Sequence, residues 1–426
     1  MGLPPSLLLV LSDLAMPDFD SSSPLTARER EEDYRKEMLP ATPSLQRILA
    51  DKIQQQGSLD FAEFMATALY HPELGYYAGK AQQVGRAGDF FTSVSVGPLF
   101  GNFLARRFLR EWKELGEPQR WRILECGAHD GSLAADILRA LQQLDEQAFG
   151  SLEYVISEPL PRLQELQTQR LRDFRDRVVL GCGLEAIADD PLPGVVFGNE
   201  LLDALPFQVV EWRAGKWHSC MVVNGAKGDF SWQLEEITAN SELAGALAKL
   251  DGDFPEGYRT EVRTGFRDFL EPLTRCISSG LLLWLDYGFA RPEYYLPERH
   301  QGTLRTFSKH RAGEDPLVMP GEIDITAHVD FTAVAEAGLK LGCDPRAFRN
   351  QGGWLTDCGR EWLLAQEGLP DAGILRQFQT LTHPSHLGGS FHVLELGWNL
   401  PVKLPLPEID SHRLALFACR RPDSHE

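Results

Sequence analysis

The sequence lacks every arrangement of cysteine that would staple a chain or hold a cluster. Its seven cysteines, at 126, 182, 220, 276, 343, 358 and 419, are odd in number and widely scattered, with no Cys-x-x-Cys pair. That excludes a disulfide scaffold, a structural zinc site and a redox dithiol. His383 and His386 lie three apart, but Pro384 stands between them, which speaks against a helical pair of metal ligands. No metal is expected. Long hydrophobic runs are missing too: Leu7 to Leu11 is far too short to span a bilayer and has no basic residue before it, as a secretory signal would have. From this a cytoplasmic protein is expected. Repeats and low-complexity tracts are also absent. Basic charge is scarce, with 42 Lys and Arg against 61 Asp and Glu and a net charge of -19. Nucleic acid needs a clustered basic face, so it is excluded as a partner, whereas a cationic protein segment carrying arginine suits this field.

What is present is an ordinary globular chain of 426 residues, 43% hydrophobic and 24% charged, long enough for a catalytic domain with additions. Apolar runs at Trp121 to Cys126, Leu152 to Ser157, Gly194 to Gly198 and Leu281 to Asp286 each stop where small or acidic residues begin, the pattern of parallel strands buried on both faces. Leu133, Ile137, Leu138, Leu141 and Leu144 recur at helical spacing between the first two runs, so strand, helix and strand follow in order. A second helix over Leu160 to Phe174 and a short strand at Val178 to Leu180 extend the pattern to a doubly wound α/β sheet. Phe391 to Gly397 and Leu414 to Cys419 read as an antiparallel pair that closes the sheet. Alternation from Phe207 to about Ile237, with turns at Ala214-Gly215 and Ala226-Lys227-Gly228, predicts a small β insertion. Helical patterns at Ser44 to Tyr70 and Gly97 to Leu115 predict a helical lid. The expected organisation is a mobile tail over 1–43, a helical lid region over 44–120, a core over 121–206 and 276–426, and an insertion over 207–275.

Three strand ends carry candidate chemistry. Ile123 to Gly131 joins a strand to a helix through Gly127 and Gly131, with Glu125 ahead of the loop. Glycine lets backbone approach a nucleotide-like ligand. An acidic residue at that point repels a pyrophosphate and suits a positively charged ligand, which favours S-adenosylmethionine over NAD. Glu158 ends the next strand, where a carboxylate can accept hydrogen bonds from both ribose hydroxyls. At the end of the fourth strand, Asn199, Glu200 and Asp203 converge in Gly198-Asn199-Glu200-Leu201-Leu202-Asp203-Ala204-Leu205-Pro206. Glu200 and Asp203 share a face if the chain turns helically there, and together they can grip a guanidinium. Alternatively, Asn199 and Asp203 cap a following helix.

These stretches, with His71 to Tyr77, Gly88 to Thr92, Pro98 to Gly101, Asp286 to Phe289, Glu293 to Tyr295, Gly302 to Leu304 and Asp324 to Phe331, resemble the MidA-like family. That family includes the mitochondrial methyltransferase needed for assembly of respiratory complex I. The likeness runs from about Ser44 to Arg420. It implies a Rossmann-like class I methyltransferase sheet, mainly parallel with an antiparallel C-terminal strand. It also implies S-adenosyl-L-methionine as cofactor, held by Glu125, Gly127, Gly131 and Glu158 and covered by Gly88, Asp89 and Thr92. The eukaryotic relatives methylate an arginine of a complex I subunit. This chain departs from the usual loop with His129 where glycine is common and Cys126 where leucine is usual.

The expected reaction is therefore methyl transfer to a protein arginine, with Glu200 and Asp203 orienting the guanidinium and taking its proton, and Asn199 orienting the pair. His328 is an alternative base, or else the cap of the helix that starts near it. The rival readings are a methyltransferase acting on a small metabolite and a non-catalytic assembly protein with a degenerate cofactor pocket.

Overall fold

The computed structural model describes residues 44–78, 92–226, 228–308, 311–313, 315–365 and 371–400. The tail over 1–43, Gly88 and Asp89, and the strand expected at Leu414 to Cys419 lie outside the described residues.

The chain opens with helices α1 (Leu45–Gln56) and α2 (Phe61–Tyr70), capped by the side chains of Ser44 and Asp60. A short helix α3 (Ser93–Val96) starts at Thr92, whose hydroxyl and the Ser95 side chain form a reciprocal capping box. Helix α4 (Leu99–Glu114) follows. Then come β1 (Trp121–Cys126), α5 (Ser132–Leu144), β2 (Leu152–Ile156), α6 (Pro161–Arg170), β3 (Val178–Leu180) and β4 (Leu192–Asn199). An inserted sheet comprises β5 (Gln208–Arg213), β6 (Lys216–Asn224), β7 (Phe230–Glu236) and β8 (Arg259–Val262), and α7 (Phe266–Thr274) leads back to the long strand β9 (Ile277–Phe289). The chain finishes with β10 (Arg305–Ser308), β11 (Arg311–Gly313), β12 (Asp324–Thr326), β13 (Val329–Asp330), α8 (Phe331–Leu341), β14 (Asp344–Asn350) and β15 (Phe391–Trp398).

The main sheet runs β14-β15-β9-β4-β1-β2-β3, with β13 added beside β9. Strands β3, β2, β1, β4 and β9 are parallel, and β15 lies antiparallel to both β9 and β14. The antiparallel closure is thus as expected, but Phe391–Trp398 lies between β9 and Asp344–Asn350, the latter separated from it by helices. The distance in sequence hid that pairing.

Alternation along the strands divides the interior into two layers. Ile123, Val195, Leu281, Leu283 and Leu285 face one layer, and Leu124, Val196, Leu282 and Trp284 the other. Both faces are dry because helices cover both sides. Helix α4, expected in a lid, is part of the first layer: Phe103, Phe108 and Trp112 pack with Trp121 and Ile137. Helix α7, within the stretch 207–275, likewise belongs to the second layer through Phe266, Phe269, Leu270 and Leu273. Periodicity alone does not say which surface an apolar helix face covers.

Helices α1 and α2 instead form a separate core with the inserted sheet, where Phe61 and Phe64 meet Phe207, Val209, Val222 and Phe230. Leu59, in the link between them, exchanges backbone hydrogen bonds with Val222 of β6. The order β7-β6-β5-β8 includes β8, a strand that the alternating pattern up to Ile237 did not reveal.

Candidate active site

The C-terminal ends of β1 and β4 adjoin where the sheet's winding reverses, so the loops that follow them part and leave a crevice. There a cleft of about 930 Å³, open to solvent, is lined by Tyr77, Thr92, Val94, Glu125, Gly127, Ala128, His129, Asp130, Leu133, Leu163, Asn199, Glu200, Asp203, Asp324 and Thr326.

One arm belongs to the β1–α5 loop. Gly127, His129 and Gly131 have φ of 74°, 47° and 79°, so every second residue is left-handed. Two of the three are glycine, as that conformation favours, and His129 holds the middle position under strain. The loop is tied from α6: Gln167 Nε2 donates to the His129 carbonyl at 2.8 Å, and Arg170 reaches Asp130 at 2.7 Å. Burial raises the Asp130 carboxyl, but hydrogen bonds from His129 and Ser132 outweigh it and hold the group below the usual carboxylate range. Glu125 is 3% exposed and accepts a hydrogen bond from Tyr154 Oη at 2.7 Å. Burial pushes its carboxyl up to about 7, with the Tyr154 bond acting the other way. Glu158 lies two residues beyond Ile156, the partner of Glu125 in the register, and its Oε1 accepts from Leu160 N at 3.0 Å. Glu158 and Gly131 do not line the cleft. Gly131 instead starts α5.

The other arm is built on the segment after β4, and here the structure corrects the expected geometry. No helix follows Asn199, so neither Asn199 nor Asp203 is a helix cap. Glu200 stands at φ 51°, and the chain turns irregularly because buried Asp286 of β9 gathers its amides. Asp286 Oδ2 accepts from Leu201, Leu202 and Asp203 N at 3.0, 2.7 and 3.2 Å, and Oδ1 from Tyr287 N at 2.8 Å. Glu200 and Asp203 still face one cleft. Glu200 Oε1 accepts from Asn199 Nδ2 at 3.1 Å and from Ser93 N at 3.3 Å. Burial and then Asp203 push Glu200 up to about 8, while burial pushes Asp203 up to about 6 against the opposing charge of Arg263.

His328 does not line the cleft. Its ring lies 5.3 Å from that of Phe289, and burial first, then Arg299 and Arg305, bring it down to about 4. It does not cap the next helix either, because the Asp330 side chain does. Sequence reasoning missed Tyr77, Asp324 and Thr326 on the cleft wall and Asp286 behind it, although all four lay in quoted motifs that gave no hint of direction. Arg263, near Asp203, carried no signal at all.

The residues fit S-adenosylmethionine. A left-handed glycine loop admits close backbone approach, the Glu125 carboxyl lines the cleft where a cationic ligand would favour its ionised form, Leu133 and Leu163 offer apolar walls, and the buried Asn199 Oδ1 has no hydrogen-bond partner among the described residues. The strand order and the carboxylates at these strand ends define a class I methyltransferase. Residues 103–349 match the family described as "Putative S-adenosyl-L-methionine-dependent methyltransferase", and the chain belongs to that family. A structure of a protein from Burkholderia thailandensis bound to S-adenosyl-homocysteine is 31% identical, with a TM-score of 0.75, over 93% of this chain and 98% of that one. The mitochondrial protein arginine methyltransferase NDUFAF7 homolog of Drosophila melanogaster is 28% identical over 83% of this chain and 84% of its own length. NDUFAF7 of Mus musculus is 28% identical with the same coverage. These relatives are named as mitochondrial, which overturns the cytoplasmic expectation, drawn as it was from the absence of a recognisable leader. Among the described residues no helix is long and apolar enough to cross a membrane.

Proposed function

We propose that this S-adenosyl-L-methionine-dependent methyltransferase acts on an arginine side chain of a protein substrate. The observation that carries this reading is the pair Glu200 and Asp203, which face the cleft beside the cofactor loop, with neither carboxylate in an ion pair with Lys or Arg among the described residues. Two carboxylates next to one another retain protons until a cation arrives, and a planar guanidinium supplies both charge and paired donors. Glu200 and Asp203 orient the acceptor nitrogen and receive its proton, and Asn199 holds Glu200 through its amide. Glu125 and Gly127 on the cleft wall hold the cofactor, with Thr92 on the near wall; Gly131 and Glu158, expected in the same role, stand outside that lining. The bound cofactor supplies an electrophilic sulfonium methyl group. His328 is left out of this machinery because its ring lies away from the cleft.

The names of the relatives support a protein arginine as acceptor. The family resemblance points further, to a subunit of respiratory complex I. The test is transfer of labelled methyl from S-adenosylmethionine into whole-cell protein and, separately, into a metabolite extract, with mass spectrometry of the labelled band. Methylarginine in protein, lost with Glu200→Gln, is the expected result. Label confined to metabolites, or to residues other than arginine, refutes the reading.

A further inference from the structure

His328, which the cleft does not use, belongs to a second constellation at the end of β9. Phe289 closes that strand, and its ring is met from two sides of the sequence. The Arg299 guanidinium, at the end of the turn Pro297–Arg299, lies 3.9 Å from the Phe289 ring centroid. The His328 ring lies 5.3 Å from it and runs nearly parallel to the Tyr287 ring, at 12° and 6.2 Å. Two residues tie this group to the acceptor arm. After burial, the charges of Glu200, Asp203 and Asp286 drive the Tyr287 phenol upward, and Arg263 donates both to the His328 carbonyl at 2.7 Å and to the Asp203 carbonyl at 2.5 Å.

The polar groups of this constellation are unsatisfied. Among the described residues Arg299 enters no ion pair, its buried Nε has no hydrogen-bond partner, and neither does the buried Nδ1 of His328. Exposed Arg305 on β10 donates to the adjacent Leu304 carbonyl at 2.7 Å and pairs with no carboxylate among the described residues. Burial first, then Arg299, Arg305 and Arg263, bring His328 down to about 4, so a neutral imidazole stands among cations. Carboxylates of the same segments are engaged elsewhere: Asp330 accepts from Arg291 at 3.1 Å, and Glu261 from Thr303 N and Leu304 N at 3.1 and 3.0 Å. A half-buried guanidinium without a counter-charge is costly until a partner arrives, and its fork of donors matches a carboxylate. In a chain of net charge -19, cations gathered next to the acidic acceptor arm are a local departure.

We propose that Arg299, laid on Phe289 and aided by Arg305, binds a carboxylate of the substrate protein, an Asp or Glu side chain close in sequence to the target arginine. The inference rests on the arginine reading above and adds a second point of recognition to it. Glu200 and Asp203 take the guanidinium, and the cations at the end of β9 take the acid beside it. In the tautomer protonated on Nδ1, His328 donates to the same carboxylate.

The experiment titrates the full chain, loaded with S-adenosyl-homocysteine, with capped alanine heptapeptides that carry a central arginine and a glutamate placed at each other position in turn, and with the matching glutamine peptides. The measured quantity is the ratio of the two affinities at each position. At one position or more the wild type favours glutamate about tenfold, as expected for a charge-assisted pair at a half-exposed site. The net negative charge of the chain acts the other way, so the preference has a local source. Arg299→Gln removes it, Arg305→Gln lowers it roughly threefold, and neither changes affinity for the glutamine peptides or for S-adenosyl-homocysteine. Equal loss of affinity for glutamate and glutamine peptides in Arg299→Gln marks a structural role and overturns the inference. Replacing the central arginine by citrulline separates the two readings: peptides that bind equally well with either overturn the arginine reading and the inference with it, whereas arginine selectivity without a glutamate preference overturns the inference alone. Should Arg299→Gln fail to fold, Arg305→Gln decides, and an unchanged preference there is overturning.

Discussion

Replacing Glu200 by glutamine should make the protein more stable in alkaline solution and much less active, and the two effects share one cause. In the folded chain burial and Asp203 hold the Glu200 proton up to about 8, from an ordinary value of 4.5. Between those values the native state binds more protons than the unfolded chain, so stability falls as pH rises from about 4.5 and the loss is complete above about 8. The full displacement of 3.5 pH units (8 less 4.5) corresponds to about 5 kcal/mol at roughly 1.4 kcal/mol per unit. Glu200 lines an open, solvated cleft, so screening reduces this to about 2 kcal/mol. Glutamine keeps the bonds from Asn199 and Ser93 and has no charge to desolvate. The ligand-free variant should therefore match the wild type near about pH 5 and melt roughly 2 °C higher near about pH 9. Methyl transfer runs the opposite way. Wild-type kcat/KM should climb through about pH 8 as Glu200 becomes able to take a proton. The variant should lose that limb and fall by roughly 30-fold to 1,000-fold, the worth of about 2 to 4 kcal/mol. Melting curves across pH on ligand-free protein and initial rates with labelled cofactor measure both. If the two proteins' melting temperatures run parallel from about pH 5 to 9, the carboxyl is not perturbed as described. If the variant keeps the alkaline limb, the proton is taken elsewhere.

Gly127→Val should abolish S-adenosylmethionine binding while the fold survives, because a β-branched residue is forced into φ 74° where backbone meets the ligand. Calorimetry showing normal affinity would place the cofactor elsewhere. His129→Gly should keep or tighten cofactor binding, since glycine occupies φ 47° without strain; lost binding would make the imidazole a ligand contact. Asp286→Asn offers at most one carbonyl oxygen to four amides. Transfer should drop at least tenfold, with stability reduced by about 2 to 4 kcal/mol and cofactor affinity nearly unchanged. Equal activity of this variant would show that the 200–203 loop holds its shape unaided.

The parallel core was legible in the sequence because buried strands announce themselves. A run such as Trp121–Cys126 is buried on both faces and ends at the glycine that turns left-handed, so strand and loop follow from local chemistry. Glu125, Gly127 and Glu200, which line the cleft, were legible as candidates for the same reason: each sits next to a strand end that the pattern marks. The sequence also determined the acidity that turns the cleft toward a cation. Only the tertiary structure decided what lies across from those strand ends. Asp286 is more than eighty residues from the amides it gathers, and Tyr77 meets Asp324 across 247 positions. Such pairings leave no periodicity, because a hydrogen bond formed on folding imposes nothing on the residues between its partners. The helical turn that the spacing after Asn199 allowed as an alternative was absent for this reason too. Local propensity offered a cap and a turn, and the buried carboxyl of Asp286 on β9 competed successfully for the same amides, since a polar oxygen taken out of water needs donors wherever the fold supplies them.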